Sequence, residues 1–131
     1  MNSTRSLLPG IWILICMLLP GSLRSLQAAP QQVTLALGTV WDESENGWTG
    51  VWTRRSGTSI FDAVWTNNGS RVTAVLTMTQ TGPATVAIHR KDTSASLEVD
   101  YVATLGPDGT VTGTATIKDN GFVFPWTAHI R

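Results

Sequence analysis

The 131-residue chain has almost no cysteine, and the one it has, Cys16, lies in an apolar segment near the start. No disulfide framework can be written, so a core must hold the fold together. Charge is scarce as well: nine Lys or Arg stand against nine Asp or Glu. Such a balance excludes the basic footprint of a nucleic-acid binder and the polybasic patch of a membrane-surface protein. The patterns of common chemistry are also missing, with no nucleophile elbow, P-loop, zinc-ligand spacing or paired cysteines. Two histidines, His89 and His129, fall on the outward side of their segments, and a turn at Thr93 and Ser94 would pair His89 with Glu98 as a cross-strand charge pair. The sequence therefore predicts a binding protein and not an enzyme, with no catalytic residue, metal ligand or cofactor.

What is present divides the chain in two. Arg5, then the apolar run Leu7–Leu19, then Pro20 and Gly21, then small residues at Ala28 and Ala29, form the layout of a secretory signal peptide. The apolar run is 13 residues long, short of the roughly 20 that span a bilayer as a helix. Residues 1–28 are thus expected to be cleaved, and 29–131 to be a single secreted or periplasmic domain with no membrane attachment. Ile15 precedes Cys16 where a lipoprotein signal needs a small residue, so Cys16 reads as apolar filler. Loss of Arg5 and Arg24 leaves seven of the nine basic residues against nine acidic ones, a net charge of −2.

The remainder is rich in Thr, Val and Trp, the residues of a pleated, half-buried surface. Its apolar residues alternate with polar ones at the two-residue period of strands. Trp48, Gly50, Trp52 and Arg54 share one face; Phe61, Ala63 and Trp65 share the next; Val72 to Met78, Val86 to Arg90, Leu97 to Leu105, Val111 to Ile117 and Phe122 to Ile130 continue. With a leading run of Val33, Leu35 and Leu37, eight strands are expected and no amphipathic helix. Turn residues fall between them: Gly57-Thr58, Asn68-Gly69, Pro107-Asp108-Gly109 and Asn120-Gly121. The first two turns pair Trp52 with Ala63 and Trp65 with both Gly50 and Val72, so turn chemistry and face pattern agree. The last turn would pair Trp126 with Ala115. Asn68-Gly69-Ser70 is also a glycosylation sequon, of consequence only in a eukaryotic secretory pathway.

Eight short strands joined by tight hairpins predict an all-β, eight-stranded antiparallel up-and-down meander barrel, which hides its sheet edges by closing. A two-sheet β-sandwich is the alternative. The inward face then carries the candidate ligand-binding residues Trp48, Trp52, Arg54, Trp65, Tyr101 and Trp126. An indole serves equally as core and as the wall of a ligand cavity. Arg54 pairs with Phe61 beside a turn; it is either a rim arginine with its head in water or a guanidinium at the barrel mouth. Arg90 is inward too, at the opposite end. Asp42, Glu43 and Glu45 crowd the segment before Trp48 and read as a solvated loop, or as a weak calcium site. Val51, Ile60, Val64 and Val75 form an outward apolar band, shielded by the N-terminal arm or used to form a homo-oligomer. The expected function is non-catalytic binding of a small apolar or aromatic ligand in the barrel. The alternative is a protein-interaction or inhibitor module with a filled barrel, using its outer face and loops.

The stretch from Trp48 to Met78, with Gly50, Trp52, Gly57, Thr58 and Gly69, resembles the opening of an avidin or streptavidin barrel, and Gly-x-Trp also opens lipocalin-type barrels. The resemblance implies the barrel architecture and a ligand held inside it. It does not carry biotin, because Arg54 and Arg55 occupy the region where that family places an Asn and a Ser on the biotin ureido group. Gly47–Trp65 also resembles small exported bacterial proteins, which agrees with the signal peptide and implies no mechanism.

Overall fold

The corners of the fold are set by turns that few residue types can make. Asn46-Gly47 and Asn68-Gly69 each hold two successive positive φ angles, 44° and 79° in the first and 47° and 84° in the second. That pair of angles gives a two-residue hairpin the twist its strands need. A computed structural model of the chain describes residues 34–131; the expected signal peptide and Val33 lie outside the described residues. Eight strands follow in order: β1 (Val40–Glu45), β2 (Trp48–Arg54), β3 (Ile60–Asn67), β4 (Ser70–Gln80), β5 (Thr85–Asp92), β6 (Glu98–Leu105), β7 (Thr110–Ile117) and β8 (Val123–Ile130). Each pairs antiparallel with the next, and β1 pairs with β8, from Trp41↔Ile130 to Glu45↔Trp126. The sheet closes into a barrel with no free edge, which decides against the sandwich.

The expected register holds on the first hairpins: Trp52 faces Ala63, Gly50 faces Trp65, Arg54 faces Phe61 and Trp65 faces Val72. Four expectations are corrected. The first strand is Val40–Glu45 and not the run at 33–37; Leu35 and Leu37 lie outside any strand and pack against the core. The segment read as an acidic loop is therefore a strand, with Trp41, Glu43 and Glu45 inward. On the last hairpin Trp126 faces Gly113 and Phe124 faces Ala115, two residues from the expected register, because the chain turns over 118–122 and leaves Phe122 exposed. His89 pairs with Asp100 and not Glu98, for the same reason: the β5–β6 loop is longer than a two-residue turn. A shift of two keeps every side chain on its own face, so alternation could not expose either error.

Interior packing alternates large with small. Trp52, fully buried, is the hub: its ring lies 5.7 Å from Trp41 (stacked), 5.7 Å from Tyr101, 6.0 Å from Trp65 and 5.2 Å from Trp126. Gly113 makes room opposite Trp126 and lets β6 and β7 approach; a Cβ there would run into the Val102 carbonyl oxygen and the Ala103 backbone.

Candidate functional site: the open end of the barrel

The meander sorts the connections by end. The β1–β2, β3–β4, β5–β6 and β7–β8 turns share one end, and the β2–β3, β4–β5 and β6–β7 turns share the other. At the second end Leu35 and Leu37 cover the core, tied down by the Leu35 N–H donating to Gln80 Oε1 (3.2 Å) and the Trp41 Nε1–H donating to the Leu37 carbonyl (2.6 Å). Among the described residues, none covers the first end in this way. It holds a cavity of ≈ 290 Å³ whose lining draws on every strand: Glu45, Trp48, Trp65, Val72, Arg90 with Asp92, Val99, Ile117 and Phe124. Asn46, Ala95 and Leu97 complete the rim from the turns. A depression of ≈ 510 Å³ on the outer wall is larger but shallow, and residues such as Asp42, Ser44, Thr49 and His129 that point to solvent edge it.

The floor of the mouth is a buried charged network. Arg90 donates through Nε to Asp92 Oδ1 (2.6 Å), through Nη2 to Asp92 Oδ2 (3.3 Å), and through Nη1 to Glu45 Oε1 and the Tyr101 hydroxyl oxygen (2.8 Å each). The Tyr101 hydroxyl in turn donates to Glu45 Oε2 (2.8 Å). The guanidinium carbon stands 3.8 Å over the Trp65 ring. All three charged side chains are nearly inaccessible, at 5 % for Arg90, 7 % for Glu45 and 2 % for Asp92. Moving such ions out of water costs several kcal/mol each, which close pairing offsets only in part.

Beside this network Glu43 accepts the Trp65 Nε1–H at Oε2 (2.6 Å), and its Oε1 has no hydrogen-bond partner. Gly50 makes the contact possible, since a Cβ there would sit 2.6 Å from Glu43 Oε2 and 2.7 Å from Trp65 Nε1. Burial, reinforced by the charge of Glu45 two residues on, pushes the Glu43 carboxyl up to about 9, so it stays protonated at neutral pH. Burial likewise raises the Tyr101 hydroxyl, with Glu45 adding to the shift. For Arg90, burial works to lower the pKa, but Asp92, Tyr101 and Glu45 outweigh it and hold the guanidinium above its ordinary range.

The structure separates the six sequence candidates. Trp48, half-buried, and Trp65 line the mouth. Trp52, Tyr101 and Trp126 lie in the packed interior, with exposures of 0, 1 and 2 %; of these, Tyr101 reaches the mouth through its hydroxyl. Arg54 is at the covered end, where its Nη1 donates to the Gly38 carbonyl (3.3 Å). Glu43, Glu45 and Asp92 were not among the candidates. Asp42, Glu43 and Glu45 do not converge as a cation site would need: Asp42 points outward to Arg131 (2.6 Å), and the other two face inward to protein donors. Their signal was the Trp41-Glu43-Glu45 alternation running into Asn46-Gly47.

Compared with protein-family models, curated proteins and solved structures, the chain finds no match in any of the three. The site must be read from its own geometry. On the outer wall Val51 is 43 % exposed and opposes Val64, while Ile60, Val64 and Val75 are half-buried.

Proposed function

We propose that the protein is an exported, non-catalytic binding protein that holds a small apolar or aromatic molecule in the open mouth of its barrel. Export rests on the segmented N-terminus. The observation that carries the binding reading is the difference between the barrel ends: one is covered by Leu35 and Leu37, and the other keeps a ≈ 290 Å³ cavity bounded by all eight strands. That volume is at the low end of the range for small-molecule pockets, and apolar walls with a few fixed polar groups are their usual make-up. The interaction-module alternative has a filled barrel and uses the outer face and loops, and the ≈ 290 Å³ space at the mouth favours the ligand reading over it. The avidin- and lipocalin-type resemblance contributes only the place of the ligand, inside the barrel. The mutual bonds of Arg90, Tyr101, Glu45 and Asp92 hold the polar groups of the floor in place, which suits fixing a ligand's orientation.

The test is a screen of small aromatic compounds by NMR of the indole N–H signals. Binding in the mouth should move the Trp48 and Trp65 resonances and leave Trp41, at the covered end, in place. A screen in which no compound moves either signal at millimolar concentration would refute the reading.

A further inference from the structure

Resting on that reading, we propose that the mouth selects a cationic headgroup on an apolar body, a primary arylalkylamine or alkylamine, with Asp92 and Glu45 receiving the ammonium and Trp48 flanking the carbon skeleton. The charges at the floor do not balance. One guanidinium stands against two carboxylates, leaving one negative charge over in a region from which the protein has removed most water. An added cation completes the pairing; an added anion meets that surplus at close range and low dielectric.

Hydrogen-bond capacity points the same way. A guanidinium has five N–H donors, and Arg90 has directed four of them at Asp92, Glu45 and Tyr101. The Tyr101 proton is given to Glu45. The floor thus has one N–H left to offer a ligand. Its two carboxylates accept four hydrogen bonds from Arg90 and Tyr101, against about four acceptor sites on each. Acceptors are in surplus and donors are nearly used up, so a ligand that donates is favoured over one that accepts. An ammonium brings three donors and a charge, and charge-assisted bonds to carboxylate are the stronger kind.

The walls fix the rest of the molecule. Arg90 already covers a face of Trp65, which leaves Trp48, half-buried at the rim, as the indole able to pack on the ligand or to face its cation. A volume of ≈ 290 Å³ suits a single ring with a short chain better than a fused polycycle.

Isothermal titration calorimetry of the purified protein near neutral pH, with 2-phenylethylamine, 2-phenylethanol and 3-phenylpropionate, tests the assignment with probes of similar size. The amine should bind about tenfold or more tighter than the alcohol, and the carboxylate should bind weakest. In D92N the amine's advantage should shrink to about threefold or less, with the alcohol unchanged. Should D92N not fold, the wild-type ranking still decides. Equal binding of amine and alcohol, or strongest binding of the carboxylate, overturns the amine assignment and leaves a ligand-binding mouth standing. Silence from all three probes at millimolar concentration overturns both.

Discussion

The two ends of the barrel use the same materials differently. Each has an inward arginine beside a turn and an indole on the interior side of the sheet. At the covered end Arg54 is half-buried and binds one backbone carbonyl, while Trp41 stacks on Trp52 under Leu37. At the open end Arg90 is buried among two carboxylates, a phenol and an indole face. The covered end completes its core with leucines from outside the sheet. The open end buries ions where well-packed apolar residues are often at least as stable. That difference between the ends is what the proposed binding site rests on.

The largest expected effect lies between the ends. Trp52→Ala should destabilise the protein by about 3–5 kcal/mol, because the hub of the aromatic interior would leave a void; Trp48→Ala, at the half-buried rim, should fall near the ordinary single-mutant value of about 1 kcal/mol. Urea melts of both variants check this, and equal midpoints would erase the distinction between packed interior and open mouth.

The two arginines give the next contrast. Arg90→Met leaves Glu45 and Asp92 buried without their cation and should cost about 3–5 kcal/mol. Arg54→Met removes one exposed contact and should cost no more than about 1 kcal/mol. Comparable losses in thermal unfolding would mean that the ends are energetically alike.

Glu43 sharpens the comparison through pH. Its folded-state pKa lies above its ordinary value of 4.5, at about 9. Below about pH 4.5 both folded and unfolded chains hold the proton; between there and about 9 only the folded chain does. Its contribution to stability is therefore complete at acid pH and is lost as pH rises through about 9, by up to ~1.4 kcal/mol per unit within the window. Glu43→Gln keeps an acceptor for the Trp65 N–H and cannot titrate. Melting temperatures from pH 5 to 9 should slope downward in the wild type and flatten in E43Q; parallel profiles would exclude Glu43 as the source.

The smallest effect tests a rim turn. Gly69, at φ 84°, should resist Gly69→Val by about 1–2 kcal/mol, because a β-branched side chain strains at positive φ. An unchanged melting midpoint would show that the hairpin turns without it.

Much of this architecture was legible in the residues, and the failures share a cause. Strands β2 to β8 were readable because alternation and turn chemistry are local: Trp52 and Ala63 face each other as soon as Gly57 turns. Strand β1 was not, although Asn46-Gly47 marks its hairpin as clearly as Asn68-Gly69 marks the next. Glu43 and Glu45 at inward positions look wrong to any local rule, since acids are rarely buried unless paired. Their partners lie well along the chain: Trp65 is 22 residues beyond Glu43, and Arg90 and Tyr101 are 45 and 56 beyond Glu45. The registers of the β5–β6 and β7–β8 hairpins escaped because a two-residue shift leaves the face pattern intact.

The sequence by itself determined the all-β class and which face of each of β2 to β8 turns inward, because those follow from the period of the pleat and the few residues that tolerate positive φ. Only the tertiary structure decided which acids are inside, which end is covered and where the cavity lies. Those depend on strands that closure of the barrel brings together, β1 against β8 and Glu45 against Arg90, and no local rule reaches across that distance.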